Sequence, residues 1–568
     1  MYAPHDKSPA SSNWWPHGII FSVLISTIAV ADEAPVQRLE FTKTDAWQFS
    51  GNPWQQRDDG IITPPNKGNL HSRAFFASHV YEDFTAEFEY TPEYRETGHG
   101  GAGLILRAKD PNHFYAVYFP WGGQSLSGKN YWASIVKVDG DAYLRSLSSA
   151  WVPGLPSETG RSCKVRVVVK GPLIEVWVNG RQAVRAIDDE YKVGLVGLMG
   201  YGWYSFRNVQ IQGHPKPAPA WPERMELLSH SFTVGLSSSL QQSSCLAPNG
   251  DVLIASGNQL VRSRDSGRTW NAPETLPSFL GAVGDQDGFS SMFHSRDGRL
   301  LVQIFRRLGN RGSSEVPEIL LSESKDNGAT WSMPTPSKVE APWPSQAQPL
   351  YPTGAMVQTE DGTMIRFVYG SLITEPGPNN GSTWRAGPPY KSYVTRSADG
   401  GKTWSGAIEI DQPAFEGKPR GTISGSHDLT ESTGVEFGNQ VMALVRPVYS
   451  PYMWQCWSSD GGRTWDSAAR TTFPGYGGPC LLKTQNGMLV CSHRMPHFSI
   501  NLSADGGLNW DQGTVVDYPV WAMGTMVEVE PNVLLCTYMN SQRHEPLLAQ
   551  RIRIHRDRIE PLDPPRQP

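Results

Sequence analysis

The sequence predicts an all-β chain whose second half is a six-bladed β-propeller, and three observations carry that expectation. The motif S-x-D-x-G-x-[TN]-W occurs five times, as Ser263–Trp270, Ser324–Trp331, Ser397–Trp404, Ser458–Trp465 and Ser503–Trp510. Its copies begin 61, 73, 61 and 45 residues apart, and an internal repeat of this kind decides architecture ahead of local propensity. From Arg224 onward the chain reads as six units, each an inner strand, a turn, two further strands and usually the motif leading into a fourth strand. Four-stranded units repeated six times fit a six-bladed propeller, with a sixth unit around Met523 to Ile554 that lacks the motif. The composition agrees: 20 each of Trp, Tyr and Phe, 56 Gly and 45 Pro against only 18% charged residues suit a turn-rich β protein.

The repeated motif has a structural logic. Its Ser and Asp can bond the amides of a tight turn, its Gly permits positive φ, and its Trp packs under the next sheet. It is expected to staple β-hairpins, not to perform chemistry.

At 568 residues the chain exceeds a single core, and its segments read in order. An apolar run from Gly18 to Ala31 ends in Ala29-Val30-Ala31. It is too short to span a bilayer and has the small-residue pattern of a signal-peptidase site. Residues 1–31 are therefore expected to be a signal peptide of a secreted or periplasmic protein, with no membrane span after cleavage. Residues 36–213 alternate as strands, for example Thr85 to Tyr90, Cys163 to Val169 and Ile174 to Val178, the last followed by the hairpin signal Asn179-Gly180. His214 to Pro222 is Pro-rich, so 214–223 reads as a stiff linker before a propeller spanning 224–560.

The first domain ends in Val193-Gly-Leu-Val-Gly-Leu-Met199 and Ser205-Phe-Arg-Asn-Val-Gln-Ile211. This succession resembles concanavalin-like jelly-roll domains, in particular the keto-disaccharide hydrolase type. The resemblance implies a jelly-roll sandwich with a sugar platform, for which Trp121, Tyr131, Trp132, Trp203 and Tyr204 are the candidates.

Charge and cysteine content narrow the function. A formal net charge of −5 without a basic run argues against nucleic acid as a partner. Six dispersed cysteines without a C-x-x-C pair give no support for a zinc site, and spacing leaves their pairing open. No cofactor is implied.

In a propeller, inner-strand starts and second-strand ends share one mouth. The second strands end in Arg306, Tyr369, Arg446, Arg494 and Tyr538. Guanidinium groups bind carboxylates in bidentate fashion at any working pH. The five motifs are similar to the Asp boxes of the sialidase superfamily. That resemblance implies Tyr538 as nucleophile, Glu431 as the residue that activates it, and Arg446 and Arg494 as the second and third arginines of a carboxylate-binding triad. A tyrosine nucleophile suits a sugar with a carboxylate on its anomeric carbon.

The chain departs from this pattern in its first unit, where Leu240 to Cys245 holds no arginine and Asp251 lies in an Asn-Gly-Asp turn. By position, Asp285 or Asp287 is expected to supply the acid, and Arg306 or Arg307 the missing cation. His427, Asp428, Tyr351, Tyr476 and Trp521 begin inner strands and are further pocket candidates. The leading expectation is a retaining exo-glycosidase acting on terminal sialic acid or a similar acidic sugar. Its alternatives are a hydrolase or lyase acting on another polysaccharide through His427, Asp428 and Glu431 with the second-unit acids Asp285 and Asp287, and a glycan-binding protein without activity.

Overall fold

A computed structural model of the chain describes residues 34–564, apart from 52, 58, 64–71, 94–99, 121–131, 153–154, 156–159, 221–228, 281–287, 307–317, 340–350, 371–390, 411–427, 449, 476, 496, 519–523 and 541–544. Residues 1–31 and the candidates Trp121, Tyr131, Asp285, Asp287, Arg307, His427, Tyr476 and Trp521 lie outside the described residues.

The described chain is all-β, with the 3-10 turn Thr44–Ala46 as its one helical element. Among the described residues no helix is long and apolar enough to cross a membrane. The strand Cys163–Lys170 shows why the N-terminal residues form sheets. Its cysteine and three alternating valines point into the core while lysine and arginine point outward, the period-2 pattern of a half-buried strand. Asn179 and Gly180 both take positive φ (49° and 78°), so the turn they make joins Leu173–Val178 to Arg181–Ile187 as a tight hairpin.

Two sheets face each other in this domain. The first runs Arg181–Ile187, Leu173–Val178, Cys163–Lys170, Phe84–Pro92, Tyr204–Gly213, Gly60–Ile62 and Gln55–Arg57, with Val36–Arg38 also on Tyr204–Gly213. The second runs Lys216–Pro217, Ser72–Tyr81, Gly194–Tyr201, Gly101–Asp110, His113–Pro120, Trp132–Asp139 and Leu144–Trp151. One core that includes Phe84, Phe88, Leu104, Tyr115, Val167 and Leu198 fills the space between them.

Within the Pro-rich joint, Lys216 and Pro217 pair with Val80 and His79 as an edge strand; proline is tolerated at a sheet edge. One expectation needs correcting here. Trp132 and Tyr204 are buried, at 1% and 7% exposure, so neither is part of an open sugar platform; Trp203 is half-buried.

The C-terminal half is a propeller arrangement. Four separate sheets begin with the strands Gln242–Leu246, Gly288–His294, Tyr351–Gln358 and Leu429–Phe437. A fifth runs Phe232–Ser237, Pro546–Ile554, Val533–Tyr538 and Gly524–Glu530. It joins the first strand of this half of the chain to its last strands, which closes the ring by hydrogen bonds. A further antiparallel run, Cys480–Lys483, Leu489–His493, Phe498–Ser503 and Thr514–Asp517, continues through Thr514–Asp517 into Leu144–Trp151 of the N-terminal domain. The first strands of the four sheets, Cys480–Lys483 and Gly524–Glu530 pack side by side in cyclic order around one axis.

The five repeats adopt one geometry. In the second, Ser324 Oγ donates to Asp326 Oδ1 at 2.7 Å and accepts the Gly328 amide at 2.8 Å. Asp326 also accepts the Thr330 amide at 2.8 Å and the Thr330 hydroxyl at 2.5 Å. Gly328 sits at φ 83°, which only glycine adopts without strain. All six cysteines are free thiols.

Candidate functional site

The inner strands enclose a cavity of about 300 Å³ on the propeller axis. Each sheet delivers side chains from the start of its inner strand, and Phe305 and Tyr369 reach the wall from the ends of second strands. Much of the wall is small and hydroxyl-bearing: Ser244, Ser290, Thr353 and Thr525 line it together with Gln241 and Gln242. These groups are tied across sheets. Ser244 Oγ donates to Thr525 Oγ1 at 2.9 Å, and Thr353 Oγ1 donates to the Ser432 carbonyl at 2.9 Å. One side is aromatic. Tyr351 lies 5.3 Å from Phe305 and 5.5 Å from Tyr369 by ring centroids, tilted in both pairs, within the range of favourable ring contacts.

Glu431 is the carboxylate in this wall among the described residues. Its Oε1 accepts a hydrogen bond from Arg446 Nη1 at 2.8 Å, with side-chain exposures of 19% for the Glu and 8% for the Arg. Glu431 Oε2 is buried and has no hydrogen-bond partner among the described residues. A buried carboxylate oxygen left unpaired is costly.

The sequence candidates separate into two groups. Glu431, Tyr351 and Tyr369 line the cavity. Arg446 stands behind Glu431, because the two residues sit at the paired ends of neighbouring antiparallel strands. Arg494 is buried at 8% exposure, with its aliphatic stem lying against Gly477. Arg306 is exposed at a strand end. None of these three arginines lines the cavity. Asp428 is fully buried at φ 49°, ahead of its strand, and is not a wall residue either.

The largest correction concerns Tyr538. It ends its strand opposite Gly524, but its side chain is fully buried in a core with Tyr143, Phe498 and Ile552 and is not among the residues lining the cavity. Its ring stacks on Phe498 at 4.1 Å. The hydroxyl donates to Asp517 Oδ2 at 2.6 Å and accepts from Gln550 Nε2 at 2.7 Å. Tyr143 of the N-terminal domain donates to Gln550 Oε1 at 2.7 Å and completes the network. Burial, followed by the neighbouring Asp517, pushes the Tyr538 phenol well above its usual range. A tyrosine with this donor role and no access to the cavity does not form the expected pair with Glu431.

Several wall residues carried no sequence signal of their own. Ser244, Thr525 and Phe289 are found only by asking which residues begin inner strands. Among the described residues no group of His, Cys, Asp and Glu is arranged to hold a metal ion.

Fold and cavity together define a β-propeller with Asp-box turns, carrying a polar axial cavity and a two-sheet β domain joined to its rim. Comparison with known proteins adds two family matches. Residues 290–519 match a BNR repeat-like domain, and residues 41–212 match a 3-keto-alpha-glucoside-1,2-lyase-like domain. No curated protein matches the chain. Among solved structures, the Hadza microbial sialidase Hz136 is similar over 84% of this chain and 94% of its own, at 16% identity and TM-score 0.43. A protein of unknown function from Dyadobacter fermentans is similar over 57% of this chain and 100% of its own, at 15% identity and TM-score 0.42. The alpha-L-arabinanase of Penicillium chrysogenum, solved with arabinobiose, is similar over 58% of this chain and 99% of its own, at 15% identity and TM-score 0.40. Scores this low assign no role to any residue of this chain.

Proposed function

We propose that the protein is a glycan-cleaving enzyme whose active site is the axial cavity, with Glu431 as its general acid or base. The observation that carries this reading is the Glu431 carboxylate, held at Oε1 by Arg446 in a residue that lines the cavity wall. Proton transfer by a positioned carboxylate contributes about 10²–10⁴-fold to such reactions. The match of residues 41–212 to a 3-keto-alpha-glucoside-1,2-lyase-like domain supports a carbohydrate substrate. In the same reading the propeller has six blades, with Cys480–Lys483 to Thr514–Asp517 as the fifth, the N-terminal domain is a jelly-roll sandwich, and residues 1–31 direct export.

The wall chemistry favours a sugar other than sialic acid. Serine, threonine and glutamine side chains match sugar hydroxyls, the Phe305–Tyr351–Tyr369 side offers apolar ring faces, and no described guanidinium enters the cavity to hold a carboxylate. Arg446 is engaged with Glu431, which positions that carboxylate.

The test is sugar release by the mature chain from neutral, uronate-bearing and sialylated glycans, with Glu431→Gln alongside. Release from a neutral glycan, reduced at least about 100-fold in Glu431→Gln with thermal unfolding little changed, is the expected result. Full activity in Glu431→Gln rejects the assignment. Tyr351→Phe and Tyr369→Phe then separate ring stacking from hydroxyl chemistry, since phenylalanine keeps only the first.

A second reading has one observation in its favour. Glycoside cleavage ordinarily uses two carboxylates, whereas Glu431 alone lines the cavity among the described residues. Glycan binding without release would move the protein to the binding class.

A further inference from the structure

The N-terminal domain carries a second groove of about 450 Å³, on the outer face of the sheet that is not joined to the propeller. Its floor is a row of side chains crossing four strands. Pairing registers place Gln210 beside Glu87, Glu87 beside Arg166, and Arg166 beside Trp177. Strands lie about 4.8 Å apart, so this row spans roughly 14 Å, a length for an oligosaccharide segment and not for one ring.

The two ends of the row are shaped by irregular backbone. At one end the register shifts between Arg207 and Gln210, with Asn208 at φ 51° and its side-chain oxygen accepting from Arg38 at 2.7 Å. At the other end the register shifts between Val176 and Trp177. Bulges of this kind re-aim side chains out of the regular pleat. Trp177 is only half-buried, unlike Trp132 in the same domain, and stands in a row that is otherwise polar.

We propose that this groove binds a neutral polysaccharide chain, by stacking a sugar ring on Trp177 and hydrogen-bonding its hydroxyls to Gln210, Asn208 and the Glu87–Arg166 pair. Charge complementarity selects the occupant. Glu87 and Arg166 approach to 3.5 Å and cancel one another, so the row projects little net field. A polyanion would meet Glu87 and a polycation Arg166, whereas uncharged hydroxyls satisfy both. The indole supplies the apolar face that such a chain needs. The groove would hold a polymer on the enzyme independently of the axial cavity.

The experiment is native affinity electrophoresis of the full chain in gels containing barley β-glucan, linear arabinan or dextran, with chondroitin sulfate as the acidic comparison. Wild type is expected to be retarded by at least one neutral polymer and not by chondroitin sulfate. Trp177→Ala should weaken that retardation at least tenfold, and Gln210→Ala should weaken it less. Turnover of short soluble substrates should not change in either variant, and retardation should persist in Glu431→Gln, which separates this site from the cavity. Undiminished retardation in Trp177→Ala, retardation by chondroitin sulfate alone, no retardation by any polymer, or self-association through this face in sedimentation would each overturn the proposal.

Discussion

At the scale of single residues, the aspartates of the repeated turns work as staples. Asp326 receives the Thr330 hydroxyl, the Thr330 amide and the Ser324 hydroxyl, and these bonds, the Thr330 hydroxyl first, hold its carboxyl at about 2 against a usual 3.8. The folded value lies below the unfolded one, so the contribution of this group is present above 3.8 and is lost as pH falls through about 2. Asp326→Ala is therefore expected to lower stability by about 1 kcal/mol at neutral pH, the size of a lost turn cap. Urea midpoints of variant and wild type should converge near pH 2. A gap that stays constant with pH would show that the carboxylate is not the source. The same motif that makes the chain legible as a repeat is thus explained by turn energetics, with no part in the cavity.

At the scale of elements, the strand ends decide what each conspicuous side chain does. Tyr369 and Tyr538 both end second strands, yet one lines the cavity and the other is sealed in a core. Which face a strand-end residue takes depends on local register and on what packs behind the strand. Tyr538 has Asp517, Gln550 and Tyr143 behind it. Tyr538→Phe is expected to leave turnover unchanged and to cost about 1–3 kcal/mol, because it strands buried partners; a loss of turnover with stability intact would restore a catalytic role. Burial pushes the Asp517 carboxyl up to about 6, although the Tyr538 hydroxyl pulls it down. The folded value lies above the unfolded 3.8, so this contribution is present below 3.8 and is lost as pH rises through about 6. Asp517→Asn should remove that slope from urea midpoints measured between pH 4 and 7.

At the scale of the whole molecule, the two domains share a sheet. Leu144 and Arg145 pair with Val515 and Thr514. One apolar cluster contains Phe114, Val136 and Leu144 from the first domain with Val515 and Tyr518 from the second. Tyr118 and His497 meet at 2.8 Å, and burial lowers the His497 imidazole to about 3, so it sits there neutral. Trp132 stands edge-on to Tyr452 at 5.1 Å. An interface made of shared hydrogen bonds and a common core couples the unfolding of its halves. Calorimetry of the full chain should therefore give one cooperative transition, and two separated transitions would contradict the coupling.

What the sequence determined by itself are the features set by neighbours along the chain. The five S-x-D-x-G-x-[TN]-W turns, the period-2 strands such as Cys163–Lys170 and the Asn179-Gly180 hairpin all follow from interactions a few residues apart. Position in a repeated unit also placed Tyr351, at an inner-strand start, and Tyr369, at a second-strand end, among the pocket candidates, whereas Glu431 came from the family resemblance. The tertiary structure decided the rest. Arg446 could not be told from a substrate-binding arginine until its strand lay against Glu431. Trp132 and Tyr204 became core only when the sheets closed over them. Tyr538 became part of a domain interface because Tyr143, far away in sequence, arrives behind it. Such outcomes depend on which surfaces meet in space, and burial, not residue type, assigns each side chain its role.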